Sequence, residues 1–308
     1  MDRKKRIKKL VSFFKDNDDR LISILFNKTK NDFNQFIEPL IDIYCPEIRK
    51  EKFYLKLILG STELYALGGY IMLLLSGKSY NKYRFFSKKL LVNNFVFIKI
   101  IKYTSVNKNL RKQIMYSAVC NVLLDEIYDN DYKELSPRKR SKIIKEALVK
   151  KVLNKGKLSL LSYLASNLDK KAVDYGLKWC DAETRCLLGK ESNRKAGIFG
   201  SMELLYSTIS KENQRKNIKL MFELAYFVQM LDDYIDLEDD LKNKVVTPVI
   251  EGKWDYKTII DQFDKCIKIA LKISKENNIS ERYFNLIEKN LRFVAYNLVI
   301  KMGNRSAN

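Results

Sequence analysis

Six acidic residues fall within "YFVQMLDDYIDLEDDLKNKVVTP", residues 226–248, of a chain whose formal net charge is +21. Read as part of one helix over 213–242, turning by about 100° per residue, this stretch puts Gln229, Asp232, Asp233, Asp236 and Asp240 within an arc of about 100°. Aspartate is a poor helix former away from an N-terminus. The cluster also continues directly from "IKLMFELAYFVQML", which is apolar nearly all the way round and therefore expected to be buried. A solvated acidic face is the alternative reading of any such run of Asp and Glu, and these two features weigh against it. At the end of a core helix carboxylates repel one another, and desolvation raises their pKa values unless a cation compensates. Magnesium suits such a set, because it takes carboxylate oxygens, retains waters and bridges to substrate phosphates. A second cluster, "NVLLDEIYDND" over 121–131, again follows an apolar run and sets Asp125 and Asp129 at i and i+4 on one helix face.

Composition narrows the remaining chemistry. The chain contains no histidine, which removes Ser-His-Asp and Cys-His catalysis and the usual Cys/His zinc sites. Acid–base work falls to Asp, Glu, Lys, Tyr or backbone groups. The cysteines at 45, 120, 180, 186 and 266 are scattered and never spaced as CxxC, so they read as reduced thiols of a cytoplasmic protein. The basic N-terminus lacks the apolar run of a secretory signal, and "LYALGGYIMLLLS" (64–76) is shorter than the roughly 18 residues of a membrane span. That window is expected to be a core helix. The positive charge is compatible with nucleic acid, an anionic membrane surface or phosphorylated ligands as partners.

The elements that must position these carboxylates are helices. Four prolines and eleven glycines among 308 residues leave few breakers, and no low-complexity linker or internal repeat divides the chain. The expectation is an all-α, single-domain antiparallel bundle over 1–308. Residues 1–18 read as a basic N-terminal segment, a candidate for flexibility. Apolar spacing of three and four predicts helices over 19–44, 50–77, 83–104, 108–130, 137–153, 157–166, 168–190, 193–209, 213–242, 255–276 and 280–302.

With these residues in view, "QMLDDYIDLEDDLKNKVVTP" resembles the second aspartate-rich motif of class I isoprenoid synthases, in which Gln precedes Asp-Asp-x-x-Asp and a Lys and Thr-Pro follow. "LLDEIYD" resembles their first motif, with Glu126 where many have a second Asp. "RKAGIF", residues 194–199, resembles the Lys-(Thr/Ala)-(Gly/Ala) segment of trans-prenyltransferases. The pairs Asp125/Asp129 and Asp236/Asp240, read as Asp-x-x-x-Asp, are equally similar to those of squalene and phytoene synthases. The resemblance implies a helical bundle around a central active-site cavity. Across that cavity Asp125 and Asp129 would face Asp232, Asp233 and Asp236, with Asp240 as a further ligand, and bind about three magnesium ions. Lys195, Arg194, Arg185, Gln229 and Lys242, with Lys244 as an alternative to Lys242, would serve the diphosphate of a prenyl substrate. Tyr128, Phe199 and Tyr226 are the aromatic candidates for stabilising an allylic cation.

The chain departs from the family's chain-elongating members. The Arg-Arg that follows their first motif is missing, leaving only "SPRKR", and their N-terminal Gly-Lys-Arg motif is echoed only by "SGKSYNKYR" at 76–84. The Asn/Ser/Glu motif of many terpene cyclases is also absent. Terpene-synthase-like ionisation and prenyl transfer, by elongation or by head-to-head coupling, therefore both stand as expected reactions. A non-catalytic basic helical module for nucleic acid or anionic lipid is the reading from another class. Peripheral membrane contact and a homodimer are compatible with either.

Overall fold

The computed structural model describes residues 2–14, 30–62, 108–188, 214–242, 245–276, 281 and 284–305. Every regular element among them is helical, as the paucity of breakers predicts. The helices include α1 (Arg3–Phe14), α2 (Glu38–Tyr44), α3 (Lys108–Glu126), α4 (Pro137–Val149), α5 (Lys157–Ser166), α6 (Lys170–Leu187), α7 (Gln214–Ile235), α8 (Leu237–Lys242), α9 (Tyr256–Glu276) and α10 (Phe284–Arg305). Residues 30–36 and 52–62 are also helical. The expected helices over 83–104 and 193–209, and the apolar window 64–76, lie outside the described residues. No helix among the described residues is long and apolar enough to cross a membrane.

Helix packing falls into two sets. In one, α5 lies against α2, α3 and α4, and α6 packs on α4; in the other, α1, α7, α9 and α10 pack on one another. The buried side chains of both sets belong to one hydrophobic cluster. In the second set the rings of Phe14, Phe227 and Phe263 meet with centroids 4.9 to 5.8 Å apart. Each such aromatic pair contributes about 1 kcal/mol beyond the apolar area it buries. The five cysteines are free thiols, and four of them are buried.

Boundaries differ from the periodic reading at several places. The N-terminal segment is an amphipathic helix in which Arg6, Leu10 and Phe14, one turn apart, are buried; an arginine at the head of the apolar stripe disguises it. The helix expected to continue to residue 153 ends at Val149, where Lys150 turns extended while its N–H still bonds the Glu146 carbonyl. The helix expected over 108–130 leaves α geometry after Glu126 and closes in a π turn, Ile127–Asp131. The helix expected over 213–242 is interrupted at Asp236.

Candidate active site

Both acidic clusters lie at helix C-termini, the end at which aligned peptide dipoles disfavour negative charge. Each therefore needs positive charge from elsewhere, and each receives it from a different part of the chain.

The first cluster ends α3, a helix buried at every position from Ile114 to Leu124. Asp125, whose side chain is 52% exposed, and Asp129 face solvent, whereas Glu126 is buried. The helical segment 52–62 runs antiparallel beside α3. It comes so close that a Cβ on Gly60 would stand 3.1 Å from Val122 Cγ2. One turn earlier the same face carries Lys56, whose Nζ lies 3.2 Å from Asp125 Oδ2 and 3.3 Å from Glu126 Oε2. Burial opposes the charge of Lys56, but the facing Asp125 and Glu126 carboxylates outweigh it and hold the ammonium above the usual lysine pKa. Lys157 closes the other side, 2.7 Å from Asp131, 3.0 Å from Glu51 and 3.7 Å from Glu126. Asn130 donates to Glu126 at 2.8 Å. Glu126 is thus held in an internal ion-pair network and, unlike its two aspartate neighbours, does not face solvent.

The π turn also fixes Tyr128. Its ring is buried edge-on to Trp179, and its hydroxyl pairs with Thr184 Oγ1 at 2.8 Å and donates to the Pro137 carbonyl at 3.3 Å. Burial pushes that phenol up to about 12, against the opposing effect of the Thr184 hydrogen bond. Tyr128 is a packed core residue in this structure. The Thr184 bond brings the last turn of α6, which carries the exposed Arg185, beside the first acidic cluster.

The second cluster ends α7, whose buried residues include Phe227, Met230, Leu231, Tyr234 and Ile235. Asp233 is 3% exposed and accepts a 2.7 Å hydrogen bond from Gln229 Nε2, one turn earlier. Asp232 and Asp240 are half-buried, and Lys242 is exposed. The chain bends at Asp236, yet the Asp236 N–H still bonds the Asp232 carbonyl and the Asp240 N–H bonds the Asp236 carbonyl, each at 2.9 Å. The expected arc of carboxylates therefore continues across the bend as far as Asp240. Burial, followed by repulsion from Asp232, raises Asp236 to about 6; Arg3 opposes the rise, and Asp240 and Asp239 add to it.

The cations at this end come from α1. Arg3 Nη2 lies 2.6 Å from Asp236 Oδ1, and Nη1 lies 2.9 Å from Asp239. Arg6, itself only 2% exposed, pairs with Glu238 and donates to the Ile235 carbonyl at 3.3 Å. It thereby caps a helix-terminal oxygen at the bend. None of Lys56, Lys157, Arg3 or Arg6 stood out in the sequence, because each is separated from its partner by 26 or more positions. The only local signal is the spacing of Ile7, Leu10, Val11 and Phe14, which marks α1 as a packed helix.

The donor type at both ends, hard carboxylate oxygen, is the type magnesium takes. Among the described residues, however, no group of three or more His, Cys, Asp or Glu side chains is arranged to hold a metal ion. Tyr226 is half-buried and edge-on to Trp254 at 5.1 Å. Arg194, Lys195, Phe199 and Lys244 lie outside the described residues. No family model, curated protein or solved structure matches this chain.

Proposed function

We propose that the protein is a magnesium-dependent class I isoprenoid synthase that ionises an allylic prenyl diphosphate, with release of diphosphate followed by cyclisation or rearrangement. The observation that carries this reading is the end of α7. A helix built for the core delivers Asp232, Asp233 and Asp236 together, with Gln229 orienting Asp233, in the order and spacing that resemble the second motif. Burying clustered carboxylates at a helix C-terminus costs stability, and a metal-binding role gives that cost a use.

In this reading the helices surround a cavity into which both acidic ends open, so that Asp125 and Asp129 face Asp232, Asp233 and Asp236. Bound magnesium would supply the charge that stabilises departing diphosphate. Lys195, Arg194, Arg185 and Lys242 would grip the phosphate oxygens, and the apolar wall would keep water from the allylic cation. No step needs a histidine, in keeping with the composition.

The test is incubation of the folded protein with prenyl diphosphates of several chain lengths and magnesium. Diphosphate release is expected with at least one of them, and no release from any would overturn the reading. The absence of the Asn/Ser/Glu motif and the resemblance of "RKAGIF" favour a second reading, a prenyltransferase. Product analysis with and without isopentenyl diphosphate separates the two.

A further inference from the structure

The turn between α4 and α5 has an unusual balance of order and exposure. Its backbone is pinned at four points. Ser162 Oγ donates to the Lys150 carbonyl at 2.7 Å and accepts from the Val152 N–H at 3.1 Å, and Ser159 Oγ donates to the Val152 carbonyl at 2.9 Å. Both serines are buried. The Gly156 N–H reaches the Tyr44 carbonyl at 2.7 Å. Gly156 adopts φ 134°, a conformation that other residues rarely enter, so the loop closes in this shape because a glycine stands there.

The side chains on this ordered frame are apolar and basic. Val152 packs on the core. Its neighbour Leu153 is left 82% exposed, and Val149 at the end of α4 is 58% exposed. Lys150, Lys151 and Lys155 flank them, all exposed, and among the described residues none of the three makes an ion pair. Lys157, by contrast, is engaged by Asp131, Glu51 and Glu126. Holding a leucine in water on an ordered loop forgoes the gain of burying it, and the three like charges around it repel one another. Both features become favourable where an apolar layer lies beneath a negatively charged surface.

We propose that the 149–155 loop docks the protein on an anionic lipid bilayer, Leu153 entering the headgroup–acyl boundary while Lys150, Lys151 and Lys155 stay at the level of the phosphates. The loop is preordered, so docking requires little further loss of backbone freedom.

The test is cosedimentation of the full chain with vesicles of phosphatidylcholine alone and vesicles containing about one-third phosphatidylserine. Binding is expected to the second only. The paired change Lys151→Glu/Lys155→Glu should weaken it by tenfold or more, at about fivefold for each lysine charge removed from the surface. The control Lys268→Glu/Lys272→Glu alters net charge equally on two exposed lysines of α9 and should have the smaller effect. Leu153→Ala leaves the charge unchanged and should weaken binding about fivefold or more. These positions are exposed, so melting curves should match the wild type and show that each variant is folded. Three outcomes overturn the proposal: no binding to either vesicle, equal losses from the loop and α9 pairs, or wild-type binding by Leu153→Ala. Binding to an acidic protein or nucleic acid that depends on the loop, when vesicle binding does not, would also overturn it.

Discussion

The two acidic helix ends solve one electrostatic problem in different ways. At the end of α3 the carboxylates divide. Asp125 and Asp129 go to solvent, and Glu126, the last residue of α3, goes inward to Lys56 and Lys157 just before the π turn. At the end of α7 the chain bends without dispersing its charge. Asp233 is buried, Asp236 is crowded by Asp232, and the cations arrive from a helix more than two hundred residues earlier. Exposure to water spares Asp125 and Asp129 much of the cost of desolvation, whereas burial and the neighbouring Asp232 raise Asp236 to about 6. The comparison locates the sensitive half of the candidate site in α7.

The largest expected effect is on turnover. Asp233→Asn or Asp236→Asn should reduce diphosphate release by about a hundredfold or more while circular dichroism stays helical. If an Asn variant at either position turns over as the wild type does, the α7 end is not the site. A smaller effect is expected on ligand-linked stability. Magnesium with diphosphate at saturating concentration should add about 3 kcal/mol to wild-type stability and much less to Asp236→Asn, measured as melting temperatures with and without the mixture.

The next prediction sharpens the contrast between the ends without ligand. Asp236 binds a proton more tightly folded than unfolded, so the metal-free protein should lose stability as pH rises from about 4 through about 6. Asp236→Asn should flatten that segment of the stability profile and leave stability at pH 7 level or higher. Arg3→Ala should move the Asp236 titration further upward, because the guanidinium opposes the rise; carboxyl NMR shifts against pH would detect it. Lys56→Ala should act oppositely to Asp236→Asn and cost about 1 kcal/mol in a denaturation midpoint, because it leaves Glu126 buried with less counter-charge. A stability gain in that variant would show that the first cluster is strained like the second.

The smallest expected effect concerns the approach that brings Lys56 to its carboxylates. In Gly60→Ala the new methyl meets Val122 at 3.1 Å, and a loss of about 1 kcal/mol is expected unless Val122 changes rotamer. A variant as stable as the wild type would show that segment 52–62 can shift outward.

The sequence by itself determined that the chain is helical and that carboxylates gather at two places, because both follow from short-range quantities. Apolar spacing of three and four placed α5 at the predicted bounds and α3, α6, α9 and α10 within a few residues of them, the helix expected over 213–242 is divided at Asp236 into α7 and α8, and the Asp clusters are contiguous in the chain. Tertiary structure decided what each carboxylate is worth. Whether Glu126 faces water or Lys157, whether Asp236 meets Arg3, and whether Tyr128 is a cavity wall or a core ring depend on which helices lie alongside. A one-residue change of pitch at Ile127 and a bend at Asp236 also contribute, and no periodic reading registers either. The basic N-terminus shows the same division. Its charges were plain in the sequence, but that Arg6 would be buried against the end of α7 follows only once Leu10 and Phe14 have drawn α1 onto the core. Charge in a sequence is additive, but the free energy of a charge depends on its distance from partners and from water, and only the folded chain fixes those distances.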